Sequence, residues 1–226
     1  MKLLKIGKTK DAYDLENGSY QLQFKDDVTV DENGSINPGG NKVGASFEGL
    51  RYNSLRLTKY YFEKINAAGI LTHYINSDLK AAAMTVYPAL QLGGKEGIEV
   101  ICRLKVAGSF FRRCGNYCSE GQDLDFFTEV SLKDDIRENP MISRDALSML
   151  GILSNDEYDD LVSRSKQIAA IIRDDLLDKG LTLYDIKFEF GKIDGRIALI
   201  DEFSWGVMRV YEDDRWLQPL ELNQFF

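Results

Sequence analysis

Between positions 183 and 190 the chain alternates without a break. Leu183, Asp185, Lys187 and Glu189 fall on every second position, with Tyr184, Ile186, Phe188 and Phe190 between them. A period of two sends neighbouring side chains to opposite faces of a strand, so one face is dense in charge and the other is aromatic and aliphatic. Asp194-Gly195 then supplies a tight turn, and the apolar run 197–200 ends on two adjacent acids, Asp201 and Glu202. The stretch reads as a β-hairpin on which acids and a lysine converge.

Three ionisable groups on alternate positions admit two explanations. A hard cation such as Mg2+ takes carboxylate oxygens and keeps substrate phosphates as further ligands, with a lysine beside them for phosphate charge. An edge hairpin carrying a weakly stabilising surface ion-pair ladder is the other. Register bears on the choice. A strict two-residue turn at Asp194-Gly195 pairs Glu189 with Ile200 and sends Asp201 to the opposite face. A metal shared by Glu189 and Asp201 therefore requires a bulge or an odd-length loop, for which Gly191 or Gly195 is available.

Charge excludes whole classes of partner. With 28 basic and 36 acidic residues the net charge is −8, which argues against a nucleic-acid or anionic-membrane surface. A small anionic substrate would need a local basic pocket. No stretch approaches the roughly 20 apolar residues of a membrane span, so a cytoplasmic protein is expected. Cys102, Cys114 and Cys118 are an odd number, as suits reduced thiols. His73 is the only histidine and lies far from the cysteines, which makes zinc a poor expectation.

Taken in order, Gly7-Lys8-Thr9-Lys10 leads into a hairpin over 11–24 that turns at Asn17-Gly18. The lysines there either lean over phosphates or simply aid solubility. A long loop rich in Gly, Asn and Ser follows over 32–49, and its Gly39-Gly40 lacks the Gly-Lys-Ser/Thr of a phosphate loop. The spacing predicts a helix over 53–68 stopped by Gly69, then strands around Pro88, a turn at Gly93-Gly94 and a strand over 98–105. His73 is expected to pack rather than to act as a base. On the strand 98–105, Glu99, Ile101 and Arg103 share a face. Arg103, the turn at Gly108 and the Ser109 hydroxyl form either a cradle for a phosphomonoester or an ordinary strand end. Residues 120–140 read as acidic loop. Ser143 and Ser154 are N-cap candidates, the second with Glu157 in capping-box position before a long helix over 156–179.

Two segments carry a family resemblance: Leu-Tyr-Asp-Ile-Lys-Phe-Glu-Phe-Gly at 183–191 and Gly-Ile-Glu-Val-Ile-Cys-Arg-Leu-Lys-Val-Ala-Gly-Ser at 97–109. Both resemble the signature segments of the SAICAR synthetases, the phosphoribosylaminoimidazole-succinocarboxamide synthases. The likeness extends from Gly-Lys-Thr-Lys at 7–10 to Asp-Glu-Phe-Ser at 201–204. It implies an α+β, two-lobed, ATP-grasp-like fold with the nucleotide in a cleft, divided here as 1–96 and 97–226. It implies an ATP-dependent amide-forming ligase that joins carboxyaminoimidazole ribonucleotide to L-aspartate. Lys8, Lys10 and Lys187 would meet ATP phosphates, Glu189 and Asp201 would carry Mg2+, and Asp185 would sit near the attacking amine. Glu99, Arg103, Ser109 and Arg209 would bind the ribonucleotide. An acid at Asp31 or Glu32 matches a further functional acid of the family.

Departures from the family pattern keep two other readings open. Asn139 stands where the family has Asp, and Trp205, Gly206 and Met208 replace Pro, Asp and Ser, although Arg209 is retained. Glu48-Gly49 stands for Lys-Gly, and the family's further C-terminal helix is missing after 220–223, which bears on any homodimer. A paralogue would keep the ATP and Mg2+ positions and act, as ligase or kinase, on another phosphorylated small molecule. A nucleotide-binding module without turnover is the third reading.

Overall fold

Local signals account for most elements, and contacts distant in sequence account for the rest. The structure, a computed structural model, describes residues 1–30, 34, 36, 42–94 and 96–226. Asp31, Glu32 and Gly39-Gly40, singled out above, lie outside the described residues.

Strand β1 (Lys2–Ile6) pairs antiparallel with β2 (Lys10–Asp14), which forms the expected hairpin with β3 (Tyr20–Phe24). Asn17 closes that turn by accepting from the Ser19 amide at 3.1 Å and its hydroxyl at 2.7 Å. β4 (Asp27–Val30) and β5 (Lys42–Ser46) make a separate two-stranded ribbon. Helix α1 (Leu50–Ala67) ends where predicted, with Gly69 in the left-handed region at φ 79°. It begins three residues earlier than the spacing indicates. Asp26 accepts from the Arg51 amide at 2.8 Å, satisfying a first-turn donor from outside the helix. β6 (Tyr74–Asp78) and β7 (Ala83–Val86) complete a five-stranded sheet in the order β1-β2-β3-β7-β6, and β8 (Leu90–Gln91) follows.

β9 (Ile98–Lys105) matches its predicted span and leads into a short helix, α2 (Gly108–Cys114). Residues 120–140, read above as acidic loop, instead contain the ten-residue strand β10 (Asp123–Leu132). Asp125 and Phe126 take left-handed φ values of 44° and 58°, and the pairing with β9 shifts between Asp123 and Phe127. The bulge breaks the alternation that would have revealed the strand, and Glu129 accepts from Arg103 and Arg113. Helices α3 (Arg144–Met149) and α4 (Asn155–Leu177) start at their expected caps, Ser143 and Ser154, the latter in a capping box with Glu157. β11 (Leu181–Ile193), β12 (Arg196–Ile200), β13 (Met208–Glu212) and β14 (Arg215–Trp216) complete the strands among the described residues, and one sheet runs β10-β9-β11-β13-β14.

Two compact units result. The first comprises Met1–Leu90, Gly191–Val207 and Gln218–Phe226, and the second Gln91–Phe190 and Met208–Leu217. The lobe boundary expected at 96/97 thus differs from the observed grouping, in which two C-terminal segments return to the first unit. In the first unit Phe62, on α1, stacks on Tyr74 at 5.6 Å and meets Phe203 edge-on at 5.1 Å. In the second, α4 packs on β9 and β10 and buries Leu161, Ile168, Ile172 and Leu176. Each such side chain contributes about 1.5–3 kcal/mol. Val100 and Cys102 of β9 and Ile186 and Phe188 of β11 are buried with them, so the charged alternate positions lie on the other face of that sheet. No helix among the described residues is long and apolar enough to cross a membrane.

Candidate active site

In the second unit the charged faces of β9, β11 and β13 are brought side by side by strand register. Asp185 of β11 lies opposite Arg103 of β9 and opposite Arg209 of β13. Arg103 NH1 donates to Asp185 Oδ2 at 2.6 Å, and Arg209 NH1 donates to both oxygens of Asp185 at 3.1 and 2.9 Å. Arg103 also donates through Nε to Glu129 Oε1 at 2.8 Å and through NH2 to Ser109 Oγ at 3.0 Å. Arg113 holds the same Glu129 carboxylate through both oxygens, at 2.7 and 2.8 Å. Arg103 is 1% exposed and Asp185 2%. Burial at that depth requires the pairing, since an isolated charge would cost several kcal/mol. Three guanidiniums against two carboxylates leave the cluster formally positive, as an anion-binding site requires.

Gly108 lets Arg209 approach the backbone at the start of α2. Its φ is 55°, and a Cβ placed there would lie 2.5 Å from Arg209 Cζ. The expected substrate residues Arg103, Ser109 and Arg209 are therefore gathered around one acid. Asp185, expected beside an attacking amine, accepts from Arg103 and Arg209 through its carboxylate oxygens.

A second group lies on the same sheet. Lys187 donates to Glu99 Oε1 at 2.9 Å and lies 3.4 Å from Glu189 Oε1. Lys133 donates to both oxygens of Glu189, each at 2.9 Å. Glu99 Oε2 is in longer contact with the Ser131 hydroxyl and the Asn139 amide, both at 3.5 Å. Asn139, the departure noted above, also holds the 133–139 segment by accepting from the Asp134 amide at 2.8 Å.

The first unit assembles its own constellation. Lys10 Nζ lies 2.7 Å from Asp201 Oδ1 and 3.2 Å from Glu202 Oε1, and the Thr9 hydroxyl donates to Glu202 at 3.3 Å. Lys8 sits partly exposed in the same 7–10 segment. Lys25 pins that segment by donating to the Gly7 carbonyl at 2.7 Å and pairing with Asp11 at 2.8 Å. A side chain at Gly7 would place its Cβ 2.3 Å from the Lys10 carbonyl oxygen, so only glycine allows the turn that presents Lys10.

Strand register does not carry to Asp201. The Asp194-Gly195 turn has positive φ at both residues, 49° and 77°, and β12 ends at Ile200. Asp201 follows in the left-handed region at φ 74°, so its side-chain direction is set by the turn out of the strand. His73 Nε2 meets the Asp201 carbonyl oxygen at 3.2 Å and the His73 amide donates to Leu199 O at 2.9 Å. Burial lowers the His73 pKa to about 4, so the ring is neutral and Nε2–H is the donor. It packs against Phe62 at 5.3 Å, as the sequence reading expects.

Among the described residues no three His, Cys, Asp or Glu side chains form a ready-made metal cage. The donors present suit Mg2+, which takes one or two carboxylates and fills its shell with ligand oxygens and water. Glu189 and Asp201 are hard oxygen donors, each already holding an ammonium at 2.9 and 2.7 Å, and so accept positive charge. The cysteines offer nothing comparable: Cys102 is buried with its thiol pushed up to about 11 by desolvation, and Cys118 Sγ donates to the Cys114 carbonyl at 3.2 Å.

Glu129, Arg113, Lys133, Glu202 and Thr9 were not among the expected site residues. Glu129 and Lys133 belong to or follow the strand hidden by the Asp125–Phe126 bulge, and Arg113 lies on a helix too short to show periodicity.

Comparison with known proteins identifies the family. The SAICAR synthetase family model matches residues 3–222. The phosphoribosylaminoimidazole-succinocarboxamide synthase of Clostridium tetani is 52% identical over 226 residues, covering 99% of this chain and 98% of its own. That of Finegoldia magna is 34% identical, covering 95% and 87%. A solved SAICAR synthetase in complex with ADP superposes with a TM-score of 0.82 at 29% identity, covering 95% of this chain and 87% of its own. The chain belongs to the SAICAR synthetase family.

Proposed function

We propose that this chain is an ATP-dependent carboxylate–amine ligase of purine biosynthesis, joining carboxyaminoimidazole ribonucleotide to L-aspartate. The observation that carries this reading is the 52% identity to the Clostridium tetani synthase over 99% of this chain. A free carboxylate is a poor acyl donor because its leaving group would be oxide. ATP converts it to an acyl phosphate, which the amine of aspartate then attacks with release of phosphate. Most of the enzyme's task is positioning and charge neutralisation.

From the second unit, Arg103, Arg209 and Ser109 anchor the ribonucleotide's phosphate, with Asp185 and Glu129 orienting the guanidiniums. Glu99 holds Lys187, which meets the transferring phosphate, and Glu189 is a Mg2+ carboxylate. From the first unit, Lys8 and Lys10 meet nucleotide phosphates and Asp201 is a Mg2+ carboxylate. When bound, Mg2+ offsets the charge of the phosphate oxygens. The proposal extends to a cytoplasmic enzyme that takes small-molecule substrates; sedimentation at assay concentration would reveal a homodimer.

The paralogue reading rests on Asn139, Trp205, Gly206 and Met208. Trp205 and Met208 are both buried, so two of these departures lie in the core. A turnover assay with ATP, Mg2+, the standard ribonucleotide and L-aspartate separates the readings. Formation of the succinocarboxamide product with ADP is expected; tight ATP binding without product would favour the paralogue.

A further inference from the structure

Lys133 holds Glu189 more fully than Lys187 does. Its ammonium reaches both carboxylate oxygens at 2.9 Å, whereas Lys187 is anchored on Glu99 at 2.9 Å and lies 3.4 Å from Glu189. Glu189 is 5% exposed, but the Lys133 side chain is 29% exposed. The backbone beneath that side chain is fixed. The Lys133 amide donates to Gly97 O at 3.1 Å, and Asp134 is tied to Asn139 while capping the turn at Asp135–Arg137. A pinned Cα with a flexible, partly solvated stem lets the ammonium leave without moving the strand.

In the contacts described above, the two carboxylates Glu99 and Glu189 face the two ammoniums of Lys133 and Lys187. A divalent ion arriving alone would leave two excess positive charges in a largely buried place. An ion arriving with polyphosphate brings its own counter-charge, and the ammonium then swings toward solvent or toward the incoming anion.

We infer that Lys133 is a stand-in cation on Glu189, which keeps the free protein's affinity for divalent metal low so that the metal enters together with the nucleotide. This rests on the reading of Glu189 as a Mg2+ carboxylate.

The test is Mn2+ binding to the nucleotide-free protein, read from the paramagnetic resonance of free Mn2+. Lys133→Met should tighten Mn2+ about tenfold, the scale of removing one contacting like charge. Lys133→Arg, which keeps the charge, should leave affinity near that of the parent, and Glu189→Gln should weaken it. Unchanged or weaker binding in Lys133→Met, with Glu189→Gln weakened, overturns the inference and leaves the Glu189 assignment standing. Unchanged binding in Glu189→Gln removes that assignment and the inference with it. Lys133→Gln serves as a second uncharged variant, with the same expected direction, should Lys133→Met fold poorly.

Discussion

Arg103 donates to Asp185 across 2.6 Å with the two side chains 1% and 3% exposed, a buried ion pair at the centre of the arginine cluster. Its two partners come from neighbouring strands, β9 and β11, whose register sets Asp185 directly opposite Arg103.

Breaking that pair should cost stability as well as activity. Asp185→Asn leaves two guanidiniums short of a counter-charge, and removal of one partner of a buried pair costs about 3–5 kcal/mol. Arg103 keeps Glu129, so the lower end, about 3 kcal/mol, is expected in urea unfolding. Glu212→Gln, which breaks an exposed pair with Arg215, should change stability by less than about 1 kcal/mol in the same assay.

Gly108→Ala should act on substrate affinity. The added methyl would meet the Arg209 guanidinium from a backbone held at φ 55°. Displacing Arg209 should raise KM for the ribonucleotide by about tenfold, equivalent to one weakened charge-assisted hydrogen bond, with a smaller change in kcat. Steady-state kinetics at saturating ATP and L-aspartate measures both.

These two sites illustrate what the sequence discloses. The alternation at 183–190 and the capping box Ser154–Glu157 are local patterns, and the structure places β11 and α4 on them. The bulge at Asp125–Phe126 erases the period of β10, so Glu129 is not legible as a strand residue. Lys10 and Asp201 lie 2.7 Å apart across most of the chain's length, a relation no local pattern can carry. A continued strand would send Asp201 to the face opposite Glu189, but β12 ends at Ile200 and Asp201 takes a left-handed backbone.

His73 gives stability a pH dependence of defined sign. Its folded pKa lies near 4, against 6.5 for an unperturbed ring, because burial disfavours the charged form. The unfolded chain binds the proton first, so this contribution is fully present above about pH 6.5 and is lost as pH falls toward 4. The difference amounts to about 3 kcal/mol. The loss of unfolding free energy between pH 7 and pH 4 should be larger in the parent than in His73→Asn by about 3 kcal/mol.

The proposed ligation requires Lys187 at the transferring phosphate. ADP release with ATP, Mg2+, the ribonucleotide and L-aspartate, compared between the parent and Lys187→Met, tests it most directly. A fall of at least about 100-fold with an unfolding transition close to the parent's is predicted, the scale of losing a group that stabilises transition-state charge. Turnover near that of the parent would contradict it.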